Sequence, residues 1–125
     1  VGPMANVDSN LFHSVAKGSL LSVQVALNGG ARVNARDRAN NTPLIMACDL
    51  GHEQIVDFLL TYDKPRVLAN PKDNFGETAL MKATRHGNAR IVEALLTALP
   101  EIKLDSRNND NETVFDIAED EHVLQ

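Results

Sequence analysis

Tryptophan is absent from this 125-residue chain, tyrosine occurs once and phenylalanine four times. So little aromatic bulk leaves small and aliphatic side chains to fill any core, which suits thin elements stacked closely. A single cysteine, Cys48, excludes an internal disulfide framework. Its place on the apolar face of a predicted helix makes it a buried structural thiol rather than a nucleophile. No apolar run approaches the roughly 18 residues that a membrane-spanning helix needs, and no signal-peptide pattern is visible. His-Glu-x-x-His, Gly-x-Ser-x-Gly and phosphate-loop patterns are missing too, so the sequence carries no catalytic constellation. The four histidines, His13, His52, His86 and His122, are too evenly spread to converge on a shared metal. Asp105–Glu112 is rich in oxygen ligands but lacks the glycine and distal glutamate of a calcium loop. A net charge of −5 argues against a general nucleic-acid binder.

What the chain does have is repetition. Thr42-Pro43-Leu44-Ile45-Met46-Ala47-Cys48-Asp49-Leu50-Gly51-His52 recurs as Thr78-Ala79-Leu80-Met81-Lys82-Ala83-Thr84-Arg85-His86-Gly87-Asn88. Gly51 and Gly87 each lie nine residues after their threonine, and the same ladder follows: Ile55-Val56 with Leu59-Leu60, and Ile91-Val92 with Leu95-Leu96. Each threonine suits a helix N-cap, Pro43 the first helical position, and each glycine a tight turn between two helices. The apolar ladder makes a broad stripe that only a neighbouring unit can cover. A degenerate first unit keeps Leu11 and Gly18, with a second helix through Ser22–Leu27 stopped at Gly29-Gly30. A fourth, from Thr113-Val114-Phe115-Asp116-Ile117-Ala118-Glu119, matches a first helix only, with Asp120-Glu121-His122 where the glycine turn should fall. The connector from Leu27 to Thr42 spans 15 residues, that from Leu60 to Thr78 spans 18, and that from Leu96 to Thr113 spans 17. The extra residues either lengthen the second helices or bulge outward.

Asp37-x-x-Asn40-x-Thr42-Pro43-Leu44, Gly51-His52, the Gly29–Ala35 stretch and Asp73-x-x-Gly76-x-Thr78-Ala79-Leu80 resemble the ankyrin repeat, over about residues 9 to 119. The resemblance implies an all-α solenoid of about four stacked helix-turn-helix units, with degenerate terminal caps, β-turn fingers at right angles to the helices and a concave groove. It divides residues 9–125 into repeats at about 9–37, 38–73, 74–108 and a partial 109–125. Residues 1–8 read as a lead-in, with Val1-Gly2-Pro3 an expression remnant ahead of Met4. A structural hydrogen-bonding role for His52 is also implied.

The resemblance further implies partner binding through finger tips and inner helices. By position, the fingers offer Arg36, Arg38 and Asn41, then Lys72, Asn74, Phe75 and Glu77, then Arg107 and Asp110; the inner helices offer Met46, Asp49, Leu50, Lys82, Arg85 and His86. Phe75 is either an exposed hot spot or folded onto a neighbouring finger. Lys17, Arg36, Arg38, Lys72, Lys82, Arg85 and Arg107 fall on one expected face, against four acids, Asp49, Glu77, Asp110 and Glu112. That face either steers an acidic partner or is an ordinary mixed surface. The expectation is a monomeric, cytoplasmic, cofactor-free module that binds and regulates or inhibits a folded protein, with no nucleic acid and no membrane insertion. A removed signal peptide would make it periplasmic or secreted. The alternative is a structural or scaffolding piece of a longer ankyrin array.

Overall fold

Thr42 and Thr78 act as the sequence predicts: Thr42 Oγ1 accepts the Ile45 N–H at 3.1 Å and Thr78 Oγ1 accepts the Met81 N–H at 3.2 Å. Each bond satisfies one of the free donors at a helix start. In the computed structural model, which describes residues 3–123, the helices are α1 (Pro3–Lys17), α2 (Leu20–Asn28), α3 (Pro43–Leu50), α4 (Glu53–Thr61), α5 (Ala79–Arg85), α6 (Ala89–Ala98) and α7 (Val114–Val123). Gly51 closes α3 in the left-handed region at φ 74°. Without a glycine, α7 runs straight through Asp120-Glu121-His122, where a turn was expected. Its first turn is held by a capping box, with Thr113 N donating to Asp116 Oδ2 at 3.0 Å.

The helices form two rows. In the inner row α1 packs on α3, α3 on α5 and α5 on α7; in the outer row α2 packs on α4 and α4 on α6. The core runs between the rows and is aliphatic. Leu11, Val15, Leu44, Ile45, Leu80 and Met81 bury against Val23, Ile55, Val56, Leu59, Ile91 and Leu95. At about 1.5–3 kcal/mol for each large side chain buried, this shared seam holds the stack together. Cys48 lies inside it, and burial with the nearby Asp49 charge pushes its thiol pKa far up.

The first helix reaches back to Pro3, through the stretch read as a lead-in, and Asp8 within it accepts the Arg32 backbone N–H at 2.9 Å and pairs with the Arg32 guanidinium. The longer connectors leave the outer helices nearly unchanged, at 9, 9 and 10 residues. Their extra length is stitched sideways. Arg66 reaches Glu101 at 3.0 Å and the Ala98 carbonyl at 2.8 Å, and Asn70 Oδ1 accepts the Lys103 N–H at 2.9 Å.

Candidate protein-interaction surface

Three fingers repeat one turn. Asp37, Asp73 and Asn108 each stand five residues before a helix-capping threonine. In each, one side-chain oxygen accepts two backbone N–H groups: Ala39 and Asn41, Phe75 and Glu77, Asp110 and Glu112, all at 2.8–3.0 Å. The residue two before the threonine is left-handed in all three, as Asn40 (φ 64°), Gly76 (φ 76°) and Asn111 (φ 64°); asparagine and glycine tolerate that region best. The fingers are also tied to one another, because Asn74 N–H donates to the Ala39 carbonyl at 2.9 Å and Asn109 N–H to the Phe75 carbonyl at 3.0 Å. Phe75 therefore has both backbone groups bonded while its ring stands 69% exposed at the tip. It does not fold onto a neighbour.

Of the two readings of the charged face, the mixed surface holds on the inner helices. Glu77, assigned to an exposed finger, is buried, and so is Asp73. Lys82 Nζ lies 3.1 Å from Asp73 and 3.5 Å from Glu77. Arg85 pairs with Glu77 and stands 3.5 Å from Glu112. Two cations thus meet three carboxylates, and the inner-helix part of the face is not positive. Burial by itself raises the Glu77 carboxyl pKa, but hydrogen bonds from Arg85 and Asn108 and the charges of Arg85 and Lys82 outweigh it and hold the group below its ordinary value. Burial by itself lowers Lys82, but the Asp73 hydrogen bond with the charges of Asp73, Asp49 and Glu77 holds it above its ordinary value.

Cations remain along the fingers. Arg36 Nη1 donates to the Asn40 and Lys72 carbonyls, Lys72 Nζ to the Arg107 carbonyl and Arg107 Nη1 to the Asn111 carbonyl, each at 2.8 Å. Those acceptors are neutral, so the three charges are oriented but not cancelled, and all three residues stay exposed. Arg38, Asn74 and Asp110 are exposed beside Phe75, while Asn41 is half-buried and donates to Asp37 at 3.2 Å. On the inner helices Met46 is half-buried, Leu50 is exposed, and exposed Asp49 and His86 pair across two units at 2.8 Å. The hydrogen-bonding role implied for His52 is not seen: its ring packs over Gly18 and Nε2 is buried without a partner. Sequence reasoning missed the Asp73 carboxylate beside Lys82 and the neutral Asn108, whose Nδ2 donates to both Glu77 and Glu112 at 2.9 Å, and it counted Glu112 as an acid of the face without pairing it with Arg85. The signal was available: Glu77 and Glu112 both directly precede the capping threonine, with Lys82 and Arg85 four and seven residues after it in the third unit.

Helix pairs stacked in register, with a shared finger turn, define a repeat solenoid that offers an extended face. The family model for ankyrin repeats (three copies) matches residues 11–108. The chain belongs to the ankyrin-repeat family, a family of non-catalytic interaction modules. Among the described residues no group of three or more His, Cys, Asp or Glu could hold a metal ion, and no helix is long and apolar enough to cross a membrane. The chain is 36% identical over 102 residues to the E3 ubiquitin-protein ligase XBAT33 of Arabidopsis thaliana, covering 80% of this chain and 19% of that protein. To the probable E3 ubiquitin-protein ligase XBOS33 of Oryza sativa subsp. japonica it is 37% identical over 91 residues, 72% of this chain and 17% of that protein. To the ankyrin repeat and SAM domain-containing protein 6 of Mus musculus it is 31% identical over 109 residues, 86% of this chain and 12% of that protein. The chain therefore spans a fifth or less of the length of these relatives.

Proposed function

We propose that the finger row and the adjoining groove bind a folded protein partner and regulate or inhibit it. The observation that carries this is Phe75, a large ring held out at the tip by bonds on both sides of its backbone. An aromatic anchor whose backbone is already fixed loses little further entropy on binding, and aromatics dominate interface energetics. Arg36, Arg38, Lys72 and Arg107 around it give the row a positive edge that favours an acidic partner surface. Lys82 and Arg85 act here as supports of the finger rather than as contacts.

The test is retention of a partner from native extract by the wild type and by an Arg38→Glu/Phe75→Ala variant, with folding checked by circular dichroism. Loss of one defined protein from the folded variant supports the reading; equal retention moves the site off the fingers. A second reading, a scaffolding segment within a longer array or multidomain protein, is favoured by the small share of each relative that the chain covers. Its mark would be a partner of the natural chain that this segment neither binds alone nor needs Phe75 to hold.

A further inference from the structure

The same sequence positions are buried in the middle units and open in the last. Two residues after the capping threonine stand Leu44, Leu80 and Phe115, which are 2%, 4% and 65% exposed. On the outer helices Val56 is fully buried beneath α6, whereas its equivalent Val92 is only half-buried. Leu60 is half-buried, whereas its equivalent Leu96 is exposed. The cause is plain in the two-row build: among the described residues α7 is the one inner helix without an outer helix beside it. What results is an apolar trough of about 640 Å³ between α6, α7 and Leu104, walled by Val92, Leu96, Val114, Phe115 and Ala118.

We propose that this trough receives an amphipathic helix with basic flanks from a second protein, seated where the next member of the outer row would lie. Three observations point to a helix of that character. The trough continues an interface that the chain fills twice with its own helices, through Ile55, Val56 and Leu59 and then Ile91 and Leu95; a helix with apolar residues at that spacing fits the next place. The polar groups in its wall are few, with Thr84, Glu93 and Thr97 the main ones, which is poor equipment for orienting a small molecule. The rim is acidic. Glu93 lies in the wall and Glu119 stands one helical turn beyond Phe115, both exposed. Of the cations nearby, Arg90 is engaged with Glu53 and Asp57 on α4, and exposed Lys103 beside Leu104 is offset by exposed Asp105 on its other side. A second copy of this chain fits less well, because α2, which exposes Leu21 and Val25, carries no cation to answer those carboxylates.

Two labelled peptides test the proposal by fluorescence anisotropy on this chain. Both carry the Ile-Val-x-x-Leu-Leu stripe; one is flanked by lysine and the other by glutamate. The lysine peptide is expected to bind, to lose about tenfold or more in affinity to a folded Phe115→Ser/Leu96→Ser variant, and to outbind the glutamate peptide by a margin that closes with salt. The single change Leu96→Gln, on an exposed position, serves if the double variant does not fold. The proposal is overturned if the lysine peptide does not bind, if the variants bind it equally, or if both peptides bind alike. A concentration-dependent dimer abolished by Leu96→Gln would assign the trough to a second copy. A longer natural chain that refuses the peptide would assign it to that chain's own segment.

Discussion

Replacing Glu77 with glutamine removes one charge from the buried network and keeps the side chain's shape. Glu77 accepts from Arg85 Nε at 3.2 Å, from Arg85 Nη2 and from Asn108 Nδ2 at 2.9 Å. After Glu77→Gln neither cation is stranded, since Lys82 keeps Asp73 at 3.1 Å and Arg85 keeps Glu112 at 3.5 Å. The loss is therefore smaller than the ~3–5 kcal/mol of leaving a buried charge unpaired. Weakening one or two hydrogen bonds to charged groups sets it at about 2 kcal/mol near neutral pH. The pH dependence has a definite sign. The folded carboxyl titrates below its ordinary value of 4.5, so its stabilisation is present above that value and is lost as pH falls through the lower folded one. Urea unfolding of wild type and variant from about pH 7 down to about pH 3 should show a gap that holds to about pH 5 and then narrows. A gap that stays constant into acid, or widens there, would refute the claim that Glu77 is ionised and held by Arg85 and Lys82.

Four further outcomes follow from the same geometry. Leu80→Ala, at a 4% exposed core position, should cost about 2–5 kcal/mol in urea unfolding. Gly51→Ala and Gly76→Ala share a left-handed backbone, at φ 74° and 76°. A Cβ on Gly51 meets nothing nearer than 3.9 Å, whereas one on Gly76 comes within 2.9 Å of the Asn109 backbone nitrogen. Gly51→Ala should cost about 1–2 kcal/mol and Gly76→Ala distinctly more; equal losses would show that the finger yields freely. Cys48, buried and with its thiol pKa raised, should resist a thiol reagent in native buffer and react on unfolding. Phe75→Ala should leave the urea midpoint nearly unchanged, because the ring it removes is 69% exposed.

The repeat was legible because its signals are local. A capping threonine, a glycine nine residues on and an aliphatic ladder each do their work within one unit, and stacking follows from the need to cover the ladder. The place of the finger tip was legible for the same reason, since Phe75, like Ala39 and Asp110, stands three residues before a capping threonine; whether its ring stood out or folded onto a neighbour was settled only by the stacked fingers. The groove's charge was not, because counting cations on a face ignores which anions stacking brings to them. Arg85 meets Glu112, 27 residues later, only because the next finger lies against α5. The His86–Asp49 pair likewise joins residues of different units. The open trough beside α7 could be read only by comparing burial at equivalent positions, since Phe115 occupies a position that looks like any other core site.

The most direct measurement is photo-crosslinking in native extract, with a benzophenone amino acid placed at position 75 and, as the convex control, at Gln54. Protein interaction through the finger row predicts one dominant adduct from position 75, reduced by Arg38→Glu, and none of that species from position 54. The same adduct from both positions, or from position 54 alone, would contradict it.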